Sequence, residues 1–177
     1  KLVGIVSEKD LLYASPSPAT SLSIYEIPYL LSKIKMRDLM TKEVITVTED
    51  TPLEEAARIM ADHKIGGLPV MRDDKLVGII TETDMFKIFL EMLGAREAGV
   101  RLAMLVPNEK GTLAKIATEI AELGGNIMAQ GTIMGEDPTN RELTLKVEDV
   151  AQEQLVSAME RLGLKILDAR YCDSPSC

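Results

Sequence analysis

The sequence predicts an α+β protein built from two dissimilar parts, and three observations predict it. A twelve-residue segment occurs twice, at residues 1–12 and 75–86, with Lys, Leu, Val, Gly, Ile, Glu and Asp identical in place and Ser7 facing Thr81. The hydrophobic period from residue 43 to 93 gives the order βαββα. Beyond a boundary at residues 94–100, rich in glycine and charge, the period changes and the order becomes βαββαβ, the split motif of ferredoxin-like folds. A duplicated supersecondary unit commonly forms a two-fold site between its copies. Nothing matching the run 43–74 precedes Lys1, and there is no initiator Met. The first copy is therefore expected to lack about 30 residues.

Residues 2–6 are strongly apolar and suit a buried strand. A short helix is expected over 10–14 and a loop over 15–21, where Pro16 and Pro18 remove donors and disfavour helix before them. Ile24, Ile27, Leu30, Leu31 and Ile34 mark a helix connecting the copies. Residues 44–47 read as a strand. Thr51, Pro52 and Glu54 read as a helix start, with Thr51 at the N-cap and Pro52 at the first helical position. Leu53, Ala56, Ala57 and Met60 form that helix's apolar stripe. Residues 65–70 enter a second strand, Asp73-Asp74 turns, 76–80 form a third strand, and 84–93 a closing helix.

In the C-terminal part Leu102, Met104 and Val106 alternate as in a half-buried strand. Leu113, Ile116, Ala117, Ile120 and Leu123 mark a helix stopped by Gly124-Gly125. Ile127, Ala129, Gly131 and Ile133 alternate, as do Leu143, Leu145 and Val147, with a hairpin loop over 136–140 between them. Asp149 can cap a helix bearing Leu155, Ala158, Met159 and Leu162, which Gly163 ends. A last strand is expected over 164–169. The domains are read as 1–34 (first copy and connecting helix), 35–93 (second copy), 94–100 (linker), 101–171 and a tail over 172–177.

Composition bounds the function. The net charge is −8, the lysines are scattered and there is no Trp, so the electrostatic footprint of a nucleic-acid binder is missing. No apolar run reaches the ~18 residues of a membrane span, and no signal peptide is expected before the fold. Two cysteines, Cys172 and Cys177, are too few for a disulfide-stapled secreted fold, so a reducing cytoplasm is expected. With six Tyr and Phe residues and ten Met, the core should be aliphatic and Met-rich. No paired carboxylates, Walker loop or catalytic triad supports an enzyme. His63 sits where a cation meets a helix C-terminus. Cys172 and Cys177 lack the further ligands that zinc wants, and no metal site is expected.

The repeated segment carries the chemistry. Where a strand passes into a helix, free N–H groups and the positive dipole end suit a phosphate. Ser7 or Thr81 can add a hydroxyl, and Asp10 or Asp84 can accept from the hydroxyls of a ribose. Ser/Thr-x-x-Asp is equally close to a capping box, in which both residues only satisfy first-turn amides. Residues 65–70 leave backbone open beside apolar side chains able to flank a flat base, and Gly4 and Gly78 admit a close approach.

On these residues the segment 1–93 resembles a tandem cystathionine-β-synthase-type (CBS) domain pair. The likeness is carried by the paired Gly-h-h-Ser/Thr-x-x-Asp runs, by Thr51, Pro52 and Ala56, and by Leu68-Pro69-Val70. It implies motifs packed sheet to sheet, with adenosine-containing ligands in clefts between them. It implies further that Ser7, Asp10, Thr81 and Asp84 touch phosphate and ribose. Val44, Ile45, Ile65, Gly66, Gly67 and Pro69 would line the base pocket. AMP, ADP, ATP, S-adenosylmethionine and NAD all carry that handle. Residues 101–171 resemble an ACT domain, a small regulatory fold that often binds amino acids. Gly111, Leu113, Gly124 and Asn126-Ile127 fit, while Asn108 replaces the usual acid and Lys110 the proline. An amino-acid site there would use Asn108, Gly111, Asn126 and Ile127, commonly across a dimer interface. A CBS pair followed by ACT resembles the acetoin-utilisation B type, to which the loop 15–20 and Tyr29-Leu30-Leu31 also fit. The resemblance implies an allosteric homodimer that senses a nucleotide and regulates a partner protein not identified by the sequence. The competing reading is a ligand-free dimerisation or scaffold module.

Overall fold

The computed structural model describes residues 1–15, 23 and 25–173. The chain divides into two compact units, Lys1–Glu82 and the remainder from Thr83.

The first unit runs α1 (Glu8–Ala14), α2 (Glu26–Lys33), α3 (Met36–Leu39), β1 (Val47–Thr48), α4 (Leu53–His63), β2 (Gly67–Arg72) and β3 (Lys75–Thr81). Its sheet has the order β1-β2-β3, with β1 parallel to β2 and β2 antiparallel to β3. Asp73, at a φ of 52°, and Asp74 make the expected two-residue turn between β2 and β3. The core is thin: Val47, Ala56, Met60 and Leu68 are buried.

Several sequence expectations are corrected here. Residues 2–6 form no strand. A single antiparallel bridge joins Ile5 to Thr41, with hydrogen bonds of 3.0 and 2.9 Å, because no neighbouring strand among the described residues extends the ladder. The strand expected over 44–47 is only Val47–Thr48, leaving Val44 and Ile45 in the chain before it. Thr51 does not cap α4. Its Oγ1 accepts from the Thr48 amide at 3.0 Å, closing a turn. Pro52, extended at ψ 146°, takes the cap position instead, and its carbonyl accepts from Glu55 and Ala56. Leu53 lies off the buried stripe, 43% exposed. The prolines of the loop 15–21, together with Ile24, fall outside the described residues.

The second unit contains most of α5 (Glu82–Met92), then β4 (Gly99–Pro107), α6 (Thr112–Glu122), β5 (Asn126–Met134), β6 (Asn140–Glu148), α7 (Gln152–Arg161) and β7 (Lys165–Cys172). The four strands form one antiparallel sheet in the order β5-β6-β4-β7. Val100, Leu102, Met104 and Val106 of β4 and Leu143, Leu145 and Val147 of β6 share one face. They pack on Ile116 and Ile120 of α6 and on Leu155, Ala158 and Met159 of α7. Gly111, at a φ of +86°, opens α6, and Gly124, at +80°, closes it, backbone positions where a Cβ would be strained.

Three further expectations give way. Asp149 does not cap α7: it sits at a φ of 60°, and Ala151 holds the cap position. β5 does not keep one face inward. Ile127 pairs with Val147 on the core face, but Ala129 pairs with Lys146 on the other, so Met128 is the extra residue of a β-bulge. One inserted residue reverses the faces of a strand. Ala129 and Gly131 therefore follow Lys146, and Ile133 is 63% exposed rather than in the core. Finally, β7 runs on to Cys172, which is buried rather than in a loose tail. Cys177 lies outside the described residues.

Candidate functional site

The apolar halves of the repeated segment face each other. A cleft of about 540 Å³ lies between Leu2 and residues 4–6 of the first copy and Pro69 with residues 76–79 of the second. Leu76, Gly78 and Ile79 are the repeat equivalents of Leu2, Gly4 and Ile5, so the two walls are related copies. Of the sequence-predicted base-pocket residues only Pro69 lines this cleft. The lining residues that were missed are the conserved-in-place apolar positions of the repeat itself, and the repeat was the signal that could have found them.

The two glycines differ. A Cβ on Gly4 would lie 2.5 Å from Met40 Sδ and 3.0 Å from the Thr41 carbonyl, so the close approach at Gly4 is made by the protein's own chain. A Cβ on Gly78 would meet Val70 only at 3.9 Å.

Ser7 and Asp10, at the exit of the first wall, form a reciprocal capping box. The Ser7 amide donates to Asp10 Oδ2 at 2.8 Å, the Ser7 hydroxyl donates to the same oxygen at 2.6 Å, and the Asp10 amide donates to Ser7 Oγ at 3.4 Å. The Ser7 hydroxyl and amide hold the Asp10 carboxyl below the usual carboxylate range. The local alternative to ligand contact is thus realised in the first copy.

At the second exit, Gly67 pairs with Thr81 in the β2–β3 ladder, and the Gly66 carbonyl accepts from the Glu82 amide at 3.1 Å. Gly66, Gly67 and Thr81 are therefore brought together. Ile65 is tied by its amide to the Met60 carbonyl at 3.0 Å, at the entry to β2. Val44 and Ile45 precede β1, which runs parallel to β2 with Val47 beside Val70, so the chain reaches them toward the same end of the sheet. Asp84 lies in the first turn of α5, with Lys87 Nζ 3.5 Å from its carboxylate.

The four C-terminal candidates are not brought together within one chain. Asn108 is held at the hairpin end, its amide donating to Thr139 O at 2.8 Å and its Nδ2 to Pro138 O at 3.1 Å. Gly111 opens α6 at that end. Asn126 donates to Glu148 Oε1 at 2.7 Å at the opposite end of the nine-residue strands, and Ile127 packs against the core. At ~3.4 Å per residue the two groups lie roughly 25 Å apart.

Comparison with known proteins decides the second copy. The CBS domain family matches residues 36–91. That stretch is therefore similar to a CBS domain. Over 78 residues, 44% of this chain and 39% of the relative, the sequence is 37% identical to an uncharacterised protein of Methanocaldococcus jannaschii. Over 57 residues, 32% of this chain, it is 40% identical to the inosine-5′-monophosphate dehydrogenase of Thermoplasma acidophilum, but spans only 12% of that enzyme. Among solved structures, a Vibrio cholerae protein assigned to acetoin utilisation is 38% identical, with a TM-score of 0.42 and coverage of 55% of this chain and 64% of that one. A CBS domain pair solved with methylthioadenosine and S-adenosyl-L-methionine is 32% identical, with a TM-score of 0.39 and coverage of 50% and 61%. The CBS match covers α3 to α5 and leaves the sheet of the second unit outside it. Among the described residues no helix is long and apolar enough to cross a membrane.

Proposed function

We propose that this protein is a regulatory sensor that takes an adenosine-containing nucleotide at its CBS domain. The observation that carries the reading is the cleft of about 540 Å³ whose two walls are the two copies of the repeated segment. Its apolar lining suits a flat base. Gly66, Gly67 and Thr81 leave the second copy's strand-to-helix passage as the place for ribose and phosphate, with Asp84 accepting from the ribose hydroxyls. In the first copy the Asp10 carboxylate already accepts from the Ser7 amide and hydroxyl, so a nucleotide that used either group must displace it. The ligand acts by binding one arrangement of the copies better than another and shifting their population. AMP, ADP, ATP, S-adenosylmethionine and NAD all satisfy this chemistry. The chain works in the cytoplasm as a homodimer that controls a partner protein, and catalyses nothing itself. The second unit is an ACT domain, a reading supported by its β5-β6-β4-β7 sheet order with both helices on one face. Because Asn108 and Gly111 lie far from Asn126 and Ile127, an amino acid held by all four must bridge two chains. The domain order resembles that of the acetoin-utilisation B type.

A thermal-shift panel of adenine nucleotides and the standard amino acids, confirmed by calorimetry, tests the proposal. A ligand at 100 times its dissociation constant adds about 2.7 kcal/mol. The expected outcome is a shift with one adenine compound that Asp84→Ala abolishes while the free protein keeps its melting temperature. Equal loss of stability and affinity in Asp84→Ala would return the motif to simple helix capping. A flat panel on a folded dimer would leave a constitutive scaffold.

A further inference from the structure

The second unit holds an unassigned cavity on the face of its sheet that the helices do not cover. About 960 Å³ lies between the C-terminal end of α5 with its following turn and the outward side chains of β4, β5, β6 and β7. The bulge at Met128 is what turns β5 this way: after it, Gln130 to Ile133 border the cavity. The α5 side is apolar, formed by Phe89, Met92 and Leu93.

One residue does not fit an empty apolar hole. Lys146 lines the cavity and is 97% buried, the one buried charged side chain among the described residues. Gly94 sits over its stem, where a Cβ would come within 3.3 Å of Lys146 Cγ. Its ammonium has no hydrogen bond or ion pair among the described residues. Of the other charges nearby, Glu97 attracts the ammonium without forming an ion pair with it, and the rest are committed or distant. Arg101 and Arg170 both donate to Asp168, at 2.7 and 2.5 Å. Glu142 lies four residues from Lys146 on the same strand, ~13 Å along it. Burial, reinforced by the Arg101 charge and opposed by Glu97, lowers the Lys146 pKa from its ordinary value. Its stem is buried while its ammonium reaches the cavity and is not sealed in protein, which places the charge to meet an anion there.

We propose that this cavity binds a small organic monoanion, a carboxylate on Lys146 with an apolar body against Phe89, Met92 and Leu93. The lining carries Lys146, Arg101 and Arg170 against Asp168 and Glu142, a net charge of +1 that matches a single negative charge. The site stands independently of the nucleotide reading, being built wholly from residues of the second unit.

Calorimetric titration of the full chain with 4-phenylbutyrate and with its neutral amide tests the proposal. The acid is expected to bind at least tenfold tighter than the amide. Lys146→Met should lose at least tenfold in affinity for the acid while the free protein melts no lower, since Met keeps the buried stem and removes only the charge. Lys146→Arg, which keeps the charge, should retain the preference for acid over amide. Equal binding of acid and amide, no binding of the acid, or full affinity in Lys146→Met would overturn the site. If Lys146→Met does not fold, the acid-to-amide ratio in the unaltered protein decides.

Discussion

The two units bury apolar side chains to very different extents. The second packs twelve residues, each at most 3% exposed, into one continuous core between a four-stranded sheet and two helices. The first buries Val47, Ala56, Met60 and Leu68 and leaves Leu76, Val77 and Ile79 of β3 between 43% and 58% exposed, with Val3 at 68%. The second unit thus closes a full core, although Phe86, Phe89, Met92, Ile133 and Met134 stay more than half exposed on it, whereas the first encloses little and exposes much. Exposed apolar patches on this scale mark places meant to be covered. The lesson is that the second unit's stability is set by its own packing, while the first unit's should respond to what binds it.

The largest effect that sharpens the contrast is a core truncation in each unit. Leu145→Ala, in the closed core of the second unit, should cost about 4 kcal/mol, because neighbours on both strands and both helices cannot collapse into the space. Leu68→Ala should cost about 2 kcal/mol, the low end of the same range, since the thin core around it can relax. Chemical denaturation resolving the two transitions checks both values. Equal losses would break the comparison.

A smaller effect separates the two copies of the repeat. Gly4→Ala drives a Cβ against Met40 and the Thr41 carbonyl and should destabilise the first unit by about 1–3 kcal/mol. Gly78→Ala meets ordinary contact distances and should be neutral or stabilising by about 0.5 kcal/mol, as strand glycines are entropically costly. Melting curves of the pair test whether the copies are as unequal as their packing.

The smallest effect is on the acid limb. Asp10 in the first unit is held low by Ser7, and Asp168 in the second chiefly by the Arg170 guanidinium and then by Arg101. A carboxyl whose folded pKa lies below its unfolded value stabilises the fold above that unfolded value, about 4. The contribution is lost as pH falls from there through the folded value. Asp10→Asn should therefore flatten the loss of stability below pH about 4 in the first unit's transition, and Asp168→Asn in the second's. Both changes should be small, because both carboxyls face solvent.

Much of this architecture was legible in the sequence where one signal acted alone. The repeat announced β3 and the start of α5, the spacing of Ile116 and Ile120 gave α6, and Gly124 stopped it. Legibility failed where tertiary partners chose between local options. Residues 2–6 are apolar enough for a strand, but a strand needs a neighbour, and Thr41 offers one bridge. Thr51 and Asp149 look like caps, but Thr51 closes a turn on Thr48 and Asp149 adopts a left-handed backbone. Ser7 and Asp10 illustrate the candidate site's ambiguity: ligand contact and capping require the same residues at the same spacing, and only coordinates reveal which hydrogen bonds form. Lys146 was invisible because an alternating strand reads a single Lys as solvent-facing.

The bulge at Met128 makes β5 sensitive to length rather than to composition. Met128 is the extra residue, so removing it would only straighten the strand and leave Ala129 opposite Lys146, whereas removing a residue beyond it, such as Gln130, would slip every later residue by one. Gly131 and Ile133 would then turn toward the helices, and Thr132 would take a place on the wall beside Lys146. The outward cavity is in this sense written in the count of residues between Asn126 and Met134.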